Sequence, residues 1–247
     1  MSDFKLDFRA PPSVREPTRP SIRFRHIALL LLGSAAVGYS LEFLTGRLLN
    51  QATISDFTKF AVLGFSFYGS LVVGYHWISQ EQKWIGLRAR FAPVRRRVLM
   101  FSAIAAIALV GLIVLTSALL KWAGVTVRDM PSQVPQFSWA ESPIALVLIC
   151  MLAPVAEELL FRGLLLDWLR QKLNGWIAAV ILSLLFSLLH RPAFASGAIG
   201  WLTFTEAFLL GLAASALAIK YHSLRPALAM HATLNVIGYI ASVVNYR

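Results

Sequence analysis

Charge is what this sequence has least of. Asp, Glu, Lys and Arg make up 14% of its 247 residues, against 57% hydrophobic residues, and mean hydropathy is +0.67. Soluble domains are about 25% charged and about 45–50% apolar, so this composition excludes an ordinary soluble fold and implies a membrane protein. Cysteine is nearly absent as well. Cys150, within an apolar run, is the sole cysteine, which excludes an intrachain disulfide framework and a cysteine-based metal cluster. Missing too are an internal repeat, a low-complexity tract beyond the N-terminal tail, and the His-Glu-x-x-His helix motif of zinc proteases.

Acidic residues number 12 against 23 basic ones, for a formal charge of +11. In a chain with many apolar runs, such an excess gathers in cytoplasmic loops beside anionic lipid. Membrane lipids are therefore the expected partners, and nucleic acid is not. Residues 1–26 carry Lys5, Arg9, Arg15, Arg19, Arg23 and Arg25 among Pro11, Pro12, Pro17 and Pro20. Such sequence cannot build a packed core and reads as a cytoplasmic tail.

Hydropathy predicts seven spans, near 27–45, 59–79, 98–120, 143–166, 175–190, 199–219 and 226–245, each close to the ~20 residues a crossing helix needs. The fold class expected is an all-α membrane protein, a polytopic bundle of about seven to eight transmembrane helices. The loops after spans two, four and six hold Lys83, Arg88, Arg90 and Arg95–Arg97, then Arg170 and Lys172, then Lys220 and Arg225. By the positive-inside rule these loops and the N-terminus are cytoplasmic, and seven spans put the C-terminus outside. Three parts follow: the tail at 1–26, N-terminal spans with an interfacial connection at 27–142, and a core at 143–245. The connection at 121–142, with Pro131, Pro135, Trp139 and Pro143, reads as an irregular interfacial segment. Gly33, Gly38, Gly64, Gly69, Gly74, Gly111, Gly211 and the Ala213–Ala216 run read as close helix–helix packing.

Against this apolar background a few polar groups stand out. Span four contains Ala153-Pro-Val-Ala-Glu157-Glu158-Leu-Leu-Phe-Arg162-Gly163. A charged group at membrane depth costs about 2.5–3.5 kcal/mol on insertion scales, so three together need a use. Glu158 and Arg162 are four apart, share one helix face and can form a structural ion pair. Glu157 lies about 100° around the helix and has no local basic partner. Pro154, one turn earlier, removes a backbone donor and loosens the helix beside it. Span five ends at His190. Span seven places His231 and Asn235 four apart on one face, inside apolar sequence, where polar groups face a protein interior or a wet cavity.

A carboxylate with histidines can move a proton from water, which is general acid–base work. A His–Asn face can donate hydrogen bonds to an oxyanion. Together they suit amide hydrolysis by a directly activated water, with no cofactor required. Alternatively, Glu157, His190 and His231 supply three ligands of a catalytic divalent metal such as zinc, with water as the fourth. Residue types leave both routes open. Depth sets a further condition: at ~1.5 Å per residue, His231 and Glu157 lie ~8 and ~14 Å from the cytoplasmic end, but His190 lies ~22 Å in. Glu42 and Glu206, also within spans, leave a transporter or proton relay as another class.

The set Glu157-Glu158-x-x-x-Arg162, Phe186-x-x-x-His190, Phe208-x-x-Gly211 and His231-x-x-x-Asn235, in that order, resembles the CAAX-protease and bacteriocin-processing (CPBP, or Abi) family of intramembrane proteases. Each motif alone is weak; four in order within roughly 143–240 are specific. The resemblance implies an integral membrane endopeptidase of a prokaryotic plasma membrane, acting on a peptide or the tail of a membrane-anchored protein. It implies that Glu157 and His190 activate the water, that His231 and Asn235 form the oxyanion site, and that Glu158 and Arg162 brace the cavity. The family has been described both as glutamate proteases and as metalloproteases. A non-catalytic immunity or peptide-binding protein with the same fold is the other expectation.

Overall fold

A computed structural model describes residues 22–48, 54–82, 85–127, 141–190 and 197–245. The proline-rich part of the tail, Lys83, and most of the 121–142 connection, including Pro131, Pro135 and Trp139, lie outside them. The described chain is helical: α1 (Phe24–Leu48), α2 (Asp56–Glu81), the short α3 (Leu87–Arg90), α4 (Arg96–Trp122), α5 (Ser142–Arg170), α6 (Gly175–Leu189), α7 (Ala198–Tyr221) and α8 (Arg225–Asn245). Six of these are long and apolar enough to cross a membrane. The fold is an all-α membrane bundle. The exception among the long apolar helices is α6, whose 15 residues reach ~22 Å, short of a ~30 Å hydrocarbon core.

Local chemistry accounts for where several helices start. The Ser55 side chain accepts the Thr58 N–H at 3.1 Å to open α2, and Asn174 accepts from Trp176 N at 2.8 Å to open α6, both in the N-cap manner. His222, at φ +48°, closes α7 in the left-handed region, and the chain turns at once into α8.

Helix α5 is continuous but not uniformly α. Leu148–Leu152 and Leu159–Leu165 are π-type stretches, in which a residue bonds five rather than four positions back. The first has a cause in the sequence. Pro154 has no N–H to give, and the Ala153 N–H goes to Leu148 O. The Ile149 carbonyl thereby loses both its α partner, Ala153, and its π partner, Pro154. Asn235 of α8 meets it, donating from Nδ2 at 2.8 Å.

Helix α8 runs antiparallel to α5 and is tied to it along its length. Tyr239 hydrogen-bonds the Ser142 carbonyl at 3.1 Å, Asn235 meets Ile149, and His231 meets Glu158. At one end of the bundle the loop around α3 locks α5 and α8 together. Arg90 pairs with Asp167 at 2.7 Å and donates to Tyr75 Oη at 2.9 Å, while the Leu224 N–H donates to Arg90 O. Ser223 and Arg225 add bonds to the carbonyls of Ala92 and Phe91. Burial opposes the charge on Arg90, but the Asp167 carboxylate and the Tyr75 hydroxyl overcome it and hold the guanidinium above its usual value. The basic loops after spans two and six thus sit at one end, next to Asp167.

The glycines divide. A Cβ at Gly38, Gly64, Gly74 or Gly211 would come within 3.1 Å of a neighbouring helix, whereas at Gly33, Gly69 and Gly111 nothing lies within 4 Å. Close packing is therefore the correct reading for the first four only. Gly211 is the tightest in consequence, because its Cβ would meet Ser183 Cα at 3.0 Å, and a backbone atom cannot swing away. Gly211→Val should destabilise the protein by about 1–3 kcal/mol, the usual cost of overpacking, read as a lower melting temperature in detergent. An unchanged melting temperature would show that α6 and α7 do not approach this closely.

Candidate active site

The site is assembled where α5, α8, α6 and α2 meet. Glu158 is 0% exposed and forms its centre. One of its oxygens, Oε1, accepts from Arg162 Nη1 at 3.1 Å and lies 2.9 Å from His231 Nδ1. A carboxylate only accepts, so the hydrogen in the second contact belongs to Nδ1. Arg162 is buried as well: Nη2 donates to Gly211 O at 3.3 Å, and its guanidinium lies over the Phe186 ring at 4.7 Å. The ion pair expected from spacing is present in the structure, and it holds a histidine from another helix besides.

Glu157 faces a different way. Its side chain keeps 20% exposure, and its Oε2 lies 3.7 Å from His231 Nε2. That gap is too long for a direct hydrogen bond, and it is a separation that one water at about 2.8 Å from each atom would bridge. The other oxygen, Oε1, accepts from Tyr68 Oη at 3.0 Å. Tyr68 comes from α2, far from the motifs, and was not singled out from sequence. Its signal was available: a tyrosine hydroxyl in mid-span, away from the interfacial belts where tyrosine is commonest, needs a polar partner.

His190 caps α6. Its Nδ1 lies 2.7 Å from Phe186 O, an acceptor, so Nδ1 carries the hydrogen and Nε2 is left as the open nitrogen. The Phe186 ring is fully buried and touches both histidines, with centroids 4.4 Å from His190 and 5.7 Å from His231. Contact with one shared ring places His190 near His231, although α6 keeps the length expected of span five. Among the described residues no hydrogen bond or ion pair joins His190 to Glu157. Asn235 spends one amide hydrogen on Ile149 O and keeps the second.

The metal ligand set of Glu157, His190 and His231 does not fit an ion as placed. Among the described residues no three His, Cys, Asp or Glu groups converge closely enough to hold one. Glu206 is half-buried in α7, and no hydrogen bond or ion pair to it is present among the described residues.

Fold and site together define a polytopic helical membrane protein with a buried carboxylate–histidine centre. Residues 139–237, the stretch that holds all four motifs, match the family described as type II CAAX prenyl endopeptidase Rce1-like. One curated relative is an uncharacterized 24.3 kDa protein of Escherichia coli, 34% identical over 99 residues, which is 39% of this chain and 43% of the relative. The chain thus spans less than half the length of the curated relative it matches. No solved structure matches.

Proposed function

We propose that this protein is an intramembrane endopeptidase that hydrolyses a peptide bond of a membrane-anchored protein or peptide. The observation that carries this reading is the chain Tyr68–Glu157···His231–Glu158–Arg162, with a gap fit for one water between Glu157 Oε2 and His231 Nε2 at 3.7 Å. In the reaction the water oxygen attacks the carbonyl carbon while Glu157 Oε2 takes its proton. The proton is delivered to the leaving amine as the C–N bond breaks, leaving one carboxylate and one amine. Asn235's remaining amide hydrogen is a donor for the oxyanion. A basic N-terminal side and short basic loops suit a prokaryotic plasma membrane with the N-terminus cytoplasmic.

The roles of the two histidines admit two readings. The resemblance pairs His190 with Glu157 on the water and gives His231 to the oxyanion. The contacts favour His231 beside the water, because Glu158 takes its Nδ1–H and leaves Nε2 facing Glu157 as an acceptor. His190, whose Nδ1–H goes to Phe186 O, can donate to an oxyanion from Nε2 only when its ring is protonated. Glutamine variants separate them, since glutamine can donate a hydrogen bond but cannot relay a proton. The water-activating histidine should lose about 10²–10⁴-fold in rate on replacement by glutamine, the range of a general base, and the oxyanion donor much less. Assay of His190→Gln and His231→Gln on a quenched peptide with a farnesylated CAAX end, chosen as a probe, reads this directly.

The metal-free route has its own check. Dialysis against a strong chelator should leave cleavage unchanged. Loss of activity that zinc restores would contradict it. Full cleavage by each of Glu157→Ala, His190→Ala and His231→Ala would end the proposal as a whole.

A further inference from the structure

We infer that Tyr68, on a helix outside the Rce1-like segment, is a positioning residue for Glu157. The inference rests on Glu157 being the base and adds to it a part supplied by α2. The phenol donates to Glu157 Oε1 at 3.0 Å. A carboxylate on a flexible two-carbon stem can rotate about its last bond and present either oxygen to His231. With Oε1 held by Tyr68, only Oε2 faces the 3.7 Å gap to His231 Nε2, where the water belongs. Without that bond the carboxylate samples both faces and the attack geometry is lost part of the time.

The approach of α2 is built to make this contact. Gly64, Tyr68, Leu71 and Tyr75 are spaced to lie along one face of α2. Gly64 packs so tightly that a Cβ there would meet Leu148 Cδ2 of α5 at 2.8 Å, and Leu148 is itself buried. Leu71 is buried at 1% exposure. Tyr75 reaches the far end of α5 through Arg90 and Asp167. Contacts on either side of Tyr68 therefore fix the distance between α2 and α5. Phe67 supports the ring itself in an edge contact, centroids 5.3 Å apart. The N-terminal helices thus complete the site as well as surrounding it.

Tyr68→Phe keeps the ring and removes the donor. On the quenched farnesyl peptide, kcat should fall about tenfold, the equivalent of one lost hydrogen bond, with KM unchanged. In a Glu157→Asp background the shortened carboxylate withdraws from the phenol, so adding Tyr68→Phe should change the rate less than twofold. A second readout needs no substrate. Tyr68→Phe should lower the melting temperature by about 2–4 °C in the wild-type background and not in Glu157→Ala, where the acceptor is gone. A kcat within twofold of wild type, equal losses in both backgrounds, a change in KM alone, or an equal melting shift with and without Glu157 would each overturn the inference. If instead Glu157→Gln keeps the wild-type rate, the proposed function fails, whatever Tyr68 does.

Discussion

Glu157→Gln should fold as well as the wild type and lose about a thousandfold in cleavage rate, within the 10²–10⁴ range for removal of a general base. The change is nearly isosteric. The amide oxygen can still accept from Tyr68, so the hydrogen bond between the two at 3.0 Å survives. Its side chain keeps 20% exposure, and no buried cation depends on it, because Arg162 is neutralised by Glu158. What disappears is the only function a carboxamide cannot imitate, acceptance of a proton. Circular dichroism and thermal melting should therefore match the wild type while product formation falls away. Parallel loss of folding and activity would mean that Glu157 is structural.

Glu158 should behave in the opposite way. Glu158→Ala leaves the Arg162 guanidinium, 1% exposed, with the Gly211 carbonyl and the Phe186 and Phe161 ring faces as its remaining partners among the described residues. Breaking a buried pair by removing one member costs about 3–5 kcal/mol. The same substitution also frees His231 Nδ1, which Glu158 holds at 2.9 Å. We therefore expect a large fall in melting temperature together with loss of activity. Removing both charges with Glu158→Leu and Arg162→Leu should restore part of the stability, since no charge is then left uncompensated, yet not the activity, since His231 stays unheld. Recovery of activity in the double variant would show that Glu158 acts through Arg162 alone.

The two neighbouring glutamates show how far sequence reasoning reaches in this chain. Spans were legible because ~20-residue apolar runs have few alternatives in a membrane protein, and the seven helices other than the short α3 follow them within a few residues. The Glu158–Arg162 pair was legible because an i,i+4 spacing is local. The bond from Glu158 to His231 was not, since it joins residues 73 apart and depends on how α8 packs on α5. Asn235 illustrates the same limit. Pro154 announced a disturbed backbone, but which side chain answers the freed Ile149 carbonyl is settled by packing. Tyr68 escaped notice because a lone tyrosine in a span carries no motif. The glycines were over-read for a related reason: small residues permit close approach, and only neighbouring helices decide whether it occurs.

The central claim is that Glu157 makes this bundle a peptidase. Comparing the protein termini of membranes from cells that make the wild type with those from cells that make Glu157→Gln, at equal expression, tests it most directly. The account predicts new N- or C-termini, from cleaved membrane-anchored proteins, in the wild-type membranes and their absence in the variant. The same set of termini in both would contradict it.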